Sequence, residues 1–221
     1  MSTKQKILDT AERLIAEQGF AATSLRQIIS EAGVNLAAVH YHFGSKEDLL
    51  DELITRKAEA VNQERHHRID RCEAEAGSQP IPVEKLLAAF FEPMIEAGTR
   101  NPQFVKLMGR LYGEGLIPAL IEKHFQAILN RFVEALHRSR PELSEGELLW
   151  RMQFTFGAMS QAVCGWDAFP PGFEMRKDPA DFRLVMRRLM TFLIAGLRAP
   201  ATSEAAEEHS PVSAGHSPNN R

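Results

Sequence analysis

Residues 24–46 read Ser24-Leu25-Arg26-Gln27-Ile28-Ile29-Ser30-Glu31-Ala32-Gly33-Val34-Asn35-Leu36-Ala37-Ala38-Val39-His40-Tyr41-His42-Phe43-Gly44-Ser45-Lys46. Thr23 or Ser24 can cap a helix here, Ser24 has Gln27 three positions on, the spacing of a capping box, and Leu25, Ile28, Ile29 and Ala32 recur at helical intervals. This predicts a short helix with one apolar face. It stops at Gly33, a residue that takes positive φ without steric cost. Asn35 is a suitable cap for an immediate restart over 36–43, where Val39 and Phe43 stand four apart and share the inward face. Two short helices joined by a three- or four-residue turn containing Gly make a helix-turn-helix.

Upstream, Ile7, Leu8, Ala11, Leu14 and Ile15 form one helical stripe, with Ser2 or Thr3 to cap it and Gly19 to end it. Downstream, Ser45-Lys46-Glu47-Asp48 is a capping hydroxyl followed by acids in the first turn, and the amides there, with Lys46, are placed to hold a phosphate. With Val39 and Phe43 inward, Leu36, Ala37, His40 and Tyr41 point mostly outward. A solvated face favours Lys and Glu. Small apolar, imidazole and phenol groups suit a major groove, where methyls meet thymine and hydroxyls meet phosphates. Charge lends no help: the 221-residue chain carries a net −3, and residues 1–50 hold five Lys or Arg against six Asp or Glu. Affinity for a polyanion is then expected from two copies on a palindrome rather than from counter-ion release by one.

Over residues 7–50, Gly19-Phe20, Thr23-Ser24-Leu25-Arg26, Ala32-Gly33-Val34, Tyr41-His42-Phe43 and Ser45-Lys46-Glu47 resemble, without a gap, the TetR family of bacterial regulators. The resemblance implies that Ser24, Arg26, Tyr41, His42 and Lys46 contact the DNA backbone. It implies also that Asn35, Leu36, Ala37 and Ala38 lie against base edges, and His40 and Ser45 complete the expected DNA-binding set. His40 stands where the family usually has an aromatic, most often Tyr, so that phosphate contact is expected to be weaker or sensitive to pH.

The remainder reads as helices only. Leu49, Leu50, Leu53 and Ile54 carry the fourth helix into a polar stretch broken at Gly77-Ser78-Gln79-Pro80. A helix over about 83–99 contains Pro93, which predicts a kink. Asn101-Pro102 starts another to about Tyr112, and Pro118 opens a longer one to about Leu136. Ser144-Glu145-Gly146-Glu147 caps a helix running to about Trp166, and 181–197 forms the last. These two are apolar on nearly every side, so they are central in a core or shared with another chain. By the resemblance they pair with their mates in a homodimer, through Met152, Phe156, Met159, Val163, Val185, Leu189 and Phe192. The fold class is all-α: a DNA-binding unit at 1–48, a helical effector-binding and dimerisation domain at 49–198, and a disordered tail at 199–221, where Pro recurs and aromatics are absent.

Phe90, Phe91, Met94, Phe104, Met108, Tyr112, Phe125 and Phe156 serve either as ordinary core or, beside the Pro93 kink, as the wall of an apolar effector cavity. Val34-Asn35-Leu36-Ala37-Ala38-Val39 and Leu148-Leu149-Trp150-Arg151-Met152-Gln153-Phe154 resemble the branch of the family with fatty-acid-responsive repressors. That implies a small hydrophobic effector, with a fatty acid or acyl-CoA as candidates. No apolar run approaches the ~18 residues of a membrane span, the N-terminus lacks a signal-peptide core, and Cys72 and Cys164 form no CxxC, which together read as cytoplasmic. An enzyme is disfavoured. Gly113-Glu114-Gly115-Leu116-Ile117-Pro118 has Pro at the third Gly of a dinucleotide loop with no strand before it. His40 with His42, and His66 with His67, fall about 200° and 100° apart on a helix, so neither makes a metal site. No catalytic residue, metal or cofactor is expected. The alternative is a helical dimeric ligand-binding protein that has lost DNA binding.

Overall fold

The first, second and fourth helices start on the caps their sequence suggests. A computed structural model describes residues 1–164 and 182–201 of the chain. The helix α1 (Thr3–Gln18) starts where Ser2 accepts from Gln5 N, and α2 (Leu25–Ala32) where Ser24 accepts from Gln27 N. The Ser24 box closes on one side only, because the Gln27 amide bonds to Gln18 and Glu31 instead. Gly33 ends α2 at φ 63°, ψ 39°, the left-handed conformation that needs no Cβ there. Then follow α3 (Leu36–His42) and α4 (Lys46–Ala76), the latter capped by Ser45 Oγ accepting from Asp48 N.

Six further helices complete the described residues: α5 (Val83–Arg100), α6 (Pro102–Gly113), α7 (Ile117–His124), α8 (Gln126–Ser139), α9 (Glu145–Cys164) and α10 (Phe182–Arg198). No strand occurs among them. Where the pattern predicts one helix from Pro118 to Leu136, the chain makes two. Phe125 leaves helical geometry at φ −127°, ψ −10°, and the His124 carbonyl accepts from Asn62 Nδ2 at 2.7 Å, an acceptor a continuous helix would occupy. The extents expected at Trp166 and 181 lie outside the described residues.

Two cores hold the molecule. The first joins Ile7, Ile15, Ile28, Val39, Leu49 and Leu53 of the N-terminal helices to Phe104, Leu107 and Leu111 of α6. The second joins Leu86, Leu87, Phe91, Phe132, Met152, Met186 and Leu193 of α5 and α8–α10. Burying a side chain of this size contributes about 1.5–3 kcal/mol, so no linker is needed: α4 runs through both cores. Ala199 and Pro200, which composition assigns to the tail, are held instead. Arg151, itself buried, donates to the carbonyls of Gly196, Ala199 and Pro200 and pairs with Glu147. Four carbonyls at a helix end have no intrahelical donor, and an arginine fork supplies them. Residues 202–221 lie outside the described residues.

Candidate nucleic-acid interface and apolar cavity

The short α3 is anchored by Val39 and Phe43, both buried, and presents its other side to solvent. Leu36, Ala37 and His40 are exposed, and Tyr41 is 85% exposed with no hydrogen-bond partner for its hydroxyl among the described residues. Its ring meets the half-buried His42 edge-on, centroids 5.1 Å apart. The side chain of Ala38 lies outside the described residues. Arg26, on the first turn of α2, is exposed and in no ion pair. His40 Nδ1 lies 3.1 Å from the Gly44 carbonyl, which ties the ring to the turn between α3 and α4.

Lys46 is placed differently from the phosphate ligand the sequence suggests. Its ammonium donates to the carbonyls of Phe20 and Thr23 at 2.9 and 3.0 Å and sits 4.2 Å from the Phe20 ring centroid. It clamps the loop before α2. From the other side Glu114, at the end of α6, accepts from Phe20 N and Ala21 N at 2.7 and 2.8 Å. Arg110 donates to the Glu17 carbonyl, and Asn101 to Glu12. The link between α6 and the reading head was not legible in sequence, since each bond joins residues about ninety positions apart.

Along α6, Phe104, Met108 and Tyr112 also face the body of the molecule, into a cavity of about 160 Å³. All eight residues named from the sequence line it: Phe90, Phe91, Met94, Phe104, Met108, Tyr112, Phe125 and Phe156. Phe90 stacks on Phe132 and meets Phe91 edge-on. Ten further lining residues were not named from the sequence, nearly all of them apolar, and the charged one is Arg65. Arg65 of α4 is 5% exposed, and its guanidinium lies 4.2 Å from the Phe90 ring centroid. A polar stretch of α4 gave no sign that one of its arginines turns inward.

Comparison with known proteins agrees with this geometry. Residues 7–53 match the model for bacterial regulatory proteins of the tetR family, and residues 85–196 match the tetracyclin repressor-like C-terminal domain. The chain belongs to the TetR family. The HTH-type transcriptional regulator AcrR of Shigella flexneri is 25% identical over 210 residues, covering 91% of this chain and 95% of that one. The regulator TtgR of Pseudomonas putida is 30% identical over 101 residues, 45% of this chain and 46% of TtgR. Among solved structures, the regulator FadR of Bacillus subtilis in complex with stearoyl-CoA shares the fold, with a TM-score of 0.57 at 21% identity over 87% of this chain and 98% of that one.

On this TetR-family chain the last two helices divide the residues named for a dimer. Met152 and Met159 are buried in the chain's own core, Phe156 turns to the cavity, and Val185 and Leu189 are half-buried against the same core. Side chains covered by their own chain cannot cover a second copy. The exposed apolar face lies beside them: Leu149, Trp150 at 63% and Phe154 at 64% on α9, and Phe192 at 67% on α10. Trp150 and Phe154 stack at 5.9 Å. The side chain of Val163 lies outside the described residues.

Proposed function

We propose that this chain is a homodimeric repressor that reads a palindromic operator with α3 and is released by a small hydrophobic effector. The observation that carries it is the combination on one short helix: Val39 and Phe43 fix α3 in the core while Leu36, Ala37 and an 85% exposed Tyr41 project into solvent. Such a face is costly in water and useful in a major groove. Ser24 and Ser45 are spent on caps, yet each leaves its hydroxyl at a helix N-terminus where a phosphate can be met. Asn35, with Ala37 and Ala38, would lie against base edges, and Arg26, His40 and His42 against the backbone. The reading is of a cytoplasmic regulator with no catalytic step; none of the described helices is long and apolar enough to cross a membrane.

The exposed Leu149-Trp150-Phe154 and Phe192 face supplies the surface for a second copy, continuing the four-helix arrangement expected of the family. Effector binding acts by population shift: a ligand bound better when the two heads are wrongly spaced lowers operator affinity. The route passes through α6, which lines the cavity on one side and grips residues 17–21 on the other. A fatty acid or an acyl-CoA is the effector class suggested by the family branch, and FadR was solved with an acyl-CoA. The test is fluorescence anisotropy on a duplex from the region upstream of the protein's own gene. Wild type should bind in two-fold stoichiometry, and Y41A and R26A should each lose at least ten-fold. Unchanged affinity in both variants would overturn the assignment of the reading face.

A further inference from the structure

Arg65 lines a cavity whose other described walls are apolar apart from the hydroxyls of Tyr112 and Ser160. Its Nε donates to the Phe90 carbonyl at 2.8 Å and its Nη1 to Asn62 Oδ1 at 3.1 Å. Pro93 of α5 lacks the N–H that would bond the Ala89 carbonyl, one residue before Phe90, so the Nε bond braces the turn that Pro93 weakens. That leaves the rest of the fork unexplained, because Nη2 has no hydrogen-bond partner and the guanidinium no carboxylate within ion-pairing distance among the described residues. No Asp or Glu is among the described lining. The neighbours Glu64 and Arg68 pair with each other, and Arg68 reaches Glu92 and Glu96 instead. Stacking on Phe90 and Phe125 offsets part of the cost of burying the charge. A buried charge without a counter-ion is otherwise unfavourable.

Resting on the effector reading above, we infer that Arg65 is the head-group anchor of the cavity and that the ligand is a compact amphipathic monoanion, a carboxylic acid whose apolar body fills the Phe- and Met-lined space. Three observations select that class. One cation matches one negative charge, so a phosphate dianion would carry a second charge into an apolar wall. The planar fork pairs with a carboxylate through two parallel bonds, and Nη2 is the donor still available. The volume of about 160 Å³ is close to that of cavities that take up a single benzene ring, which sets the body at on the order of ten heavy atoms. An acyl-CoA presents a neutral thioester where the charge is wanted, so the free acid is the better fit. Burial pushes the guanidinium down to about 10, which leaves it cationic at neutral pH.

Calorimetry on the full chain, with octanoate and 3-phenylpropanoate each set against its own methyl ester, tests this. Wild type is expected to bind at least one acid ten-fold or more tighter than its ester. R65Q should bring acid and ester to the same affinity, and R65K, which keeps charge but not the fork, should retain part of the preference. The two acids distinguish an acyl from an aromatic body. Equal affinity for acid and ester in wild type would overturn the anion anchor and leave the hydrophobic-effector reading standing. A preference that survives in R65Q would overturn the assignment to Arg65, and binding of none of the four would remove both readings. Should R65Q not fold by circular dichroism, the wild-type comparison and R65K decide the matter.

Discussion

Gly19 and Glu114 are coupled, and the coupling can be measured. Gly19 sits at φ 95°, ψ 164°, a conformation open essentially to glycine alone, and a methyl placed there would overlap Glu114 Oε1. G19A therefore acts twice. Forcing a Cβ into that backbone region costs about 1–3 kcal/mol. Displacing Glu114 removes the two hydrogen bonds to Phe20 N and Ala21 N, together about 1–2 kcal/mol since water can replace the carboxylate at this exposed site. G19A alone should lose roughly 2–5 kcal/mol and E114A alone about 1–2 kcal/mol. In the double variant the bonds are lost once, so it should be less destabilised than the sum by about 1–2 kcal/mol. The assay is urea unfolding followed by far-ultraviolet circular dichroism at one fixed protein concentration, because the stability of the proposed dimer would depend on concentration. Losses that add within about 0.5 kcal/mol would refute the argument that the glycine is there to admit the carboxylate. Operator affinity should follow the same order, since the loop that Glu114 grips also carries the carbonyls that hold Lys46.

Lys46 is predicted to act through position rather than contact: K46M should destabilise by about 1–2 kcal/mol in urea unfolding, and its operator affinity should depend on salt with the same slope as wild type, where a lost phosphate contact would lower the slope. Trp150 and Phe154 are predicted to hold the dimer, so W150E should sediment as a monomer at micromolar concentration while keeping its helical dichroism; a dimer that persists unchanged would place the interface elsewhere. Burial opposes ionisation of Asp51, but the hydrogen bond from Lys123 and the neighbouring His124 outweigh it and hold the carboxyl below the usual Asp range. The sign follows: this stabilising contribution is complete above the unfolded carboxyl's value near 4 and is lost as pH falls through the lower folded value. D51N should flatten the acid limb of the stability curve below about pH 4, read from urea midpoints, and leave neutral-pH operator binding within two-fold.

Local chemistry carried most of what was legible from the sequence. Ser2, Ser24, Ser45 and Ser144 accept the capping bonds their positions suggest, because a cap involves residues three apart and nothing else need be known. The eight cavity residues were legible as a group because aromatic and Met side chains at helical spacing point one way whether they end as core or as wall. What failed was the choice among apolar faces. On α9 the apolar residues run nearly all round, so periodicity could not say that Met152 and Met159 turn in while Trp150 and Phe154 turn out. Charged residues were the other blind spot. Arg65, in a polar stretch, and Arg151, in an apolar one, both look like solvated side chains, and only tertiary placement shows one beneath a Pro-containing helix and the other beneath a helix end.

The charge count of the reading head shows why a linear segment is the wrong unit for an electrostatic argument. Residues 1–50 are one unit negative, yet four of their six acids are ion-paired in the folded chain. Asp9 and Glu12 pair with Arg56 and Lys57, which lie beyond residue 50 on α4, and Glu17 and Glu31 share Arg13. All four lie on α1 and α2, away from the projecting side of α3, where no acid occurs between Leu36 and His42. Arg26 remains outside every pair. The head therefore presents a groove-facing helix without an acid, flanked by the unpaired Arg26 and by two helix N-termini, one of which carries the exposed Glu47 and Asp48. Little long-range attraction is available from such a surface, so on the proposed reading affinity comes from close fit and from two heads binding together. On that reading a shift of α6 has leverage over DNA binding: a head with little charge of its own would have nothing to hold it on DNA once its partner is out of register.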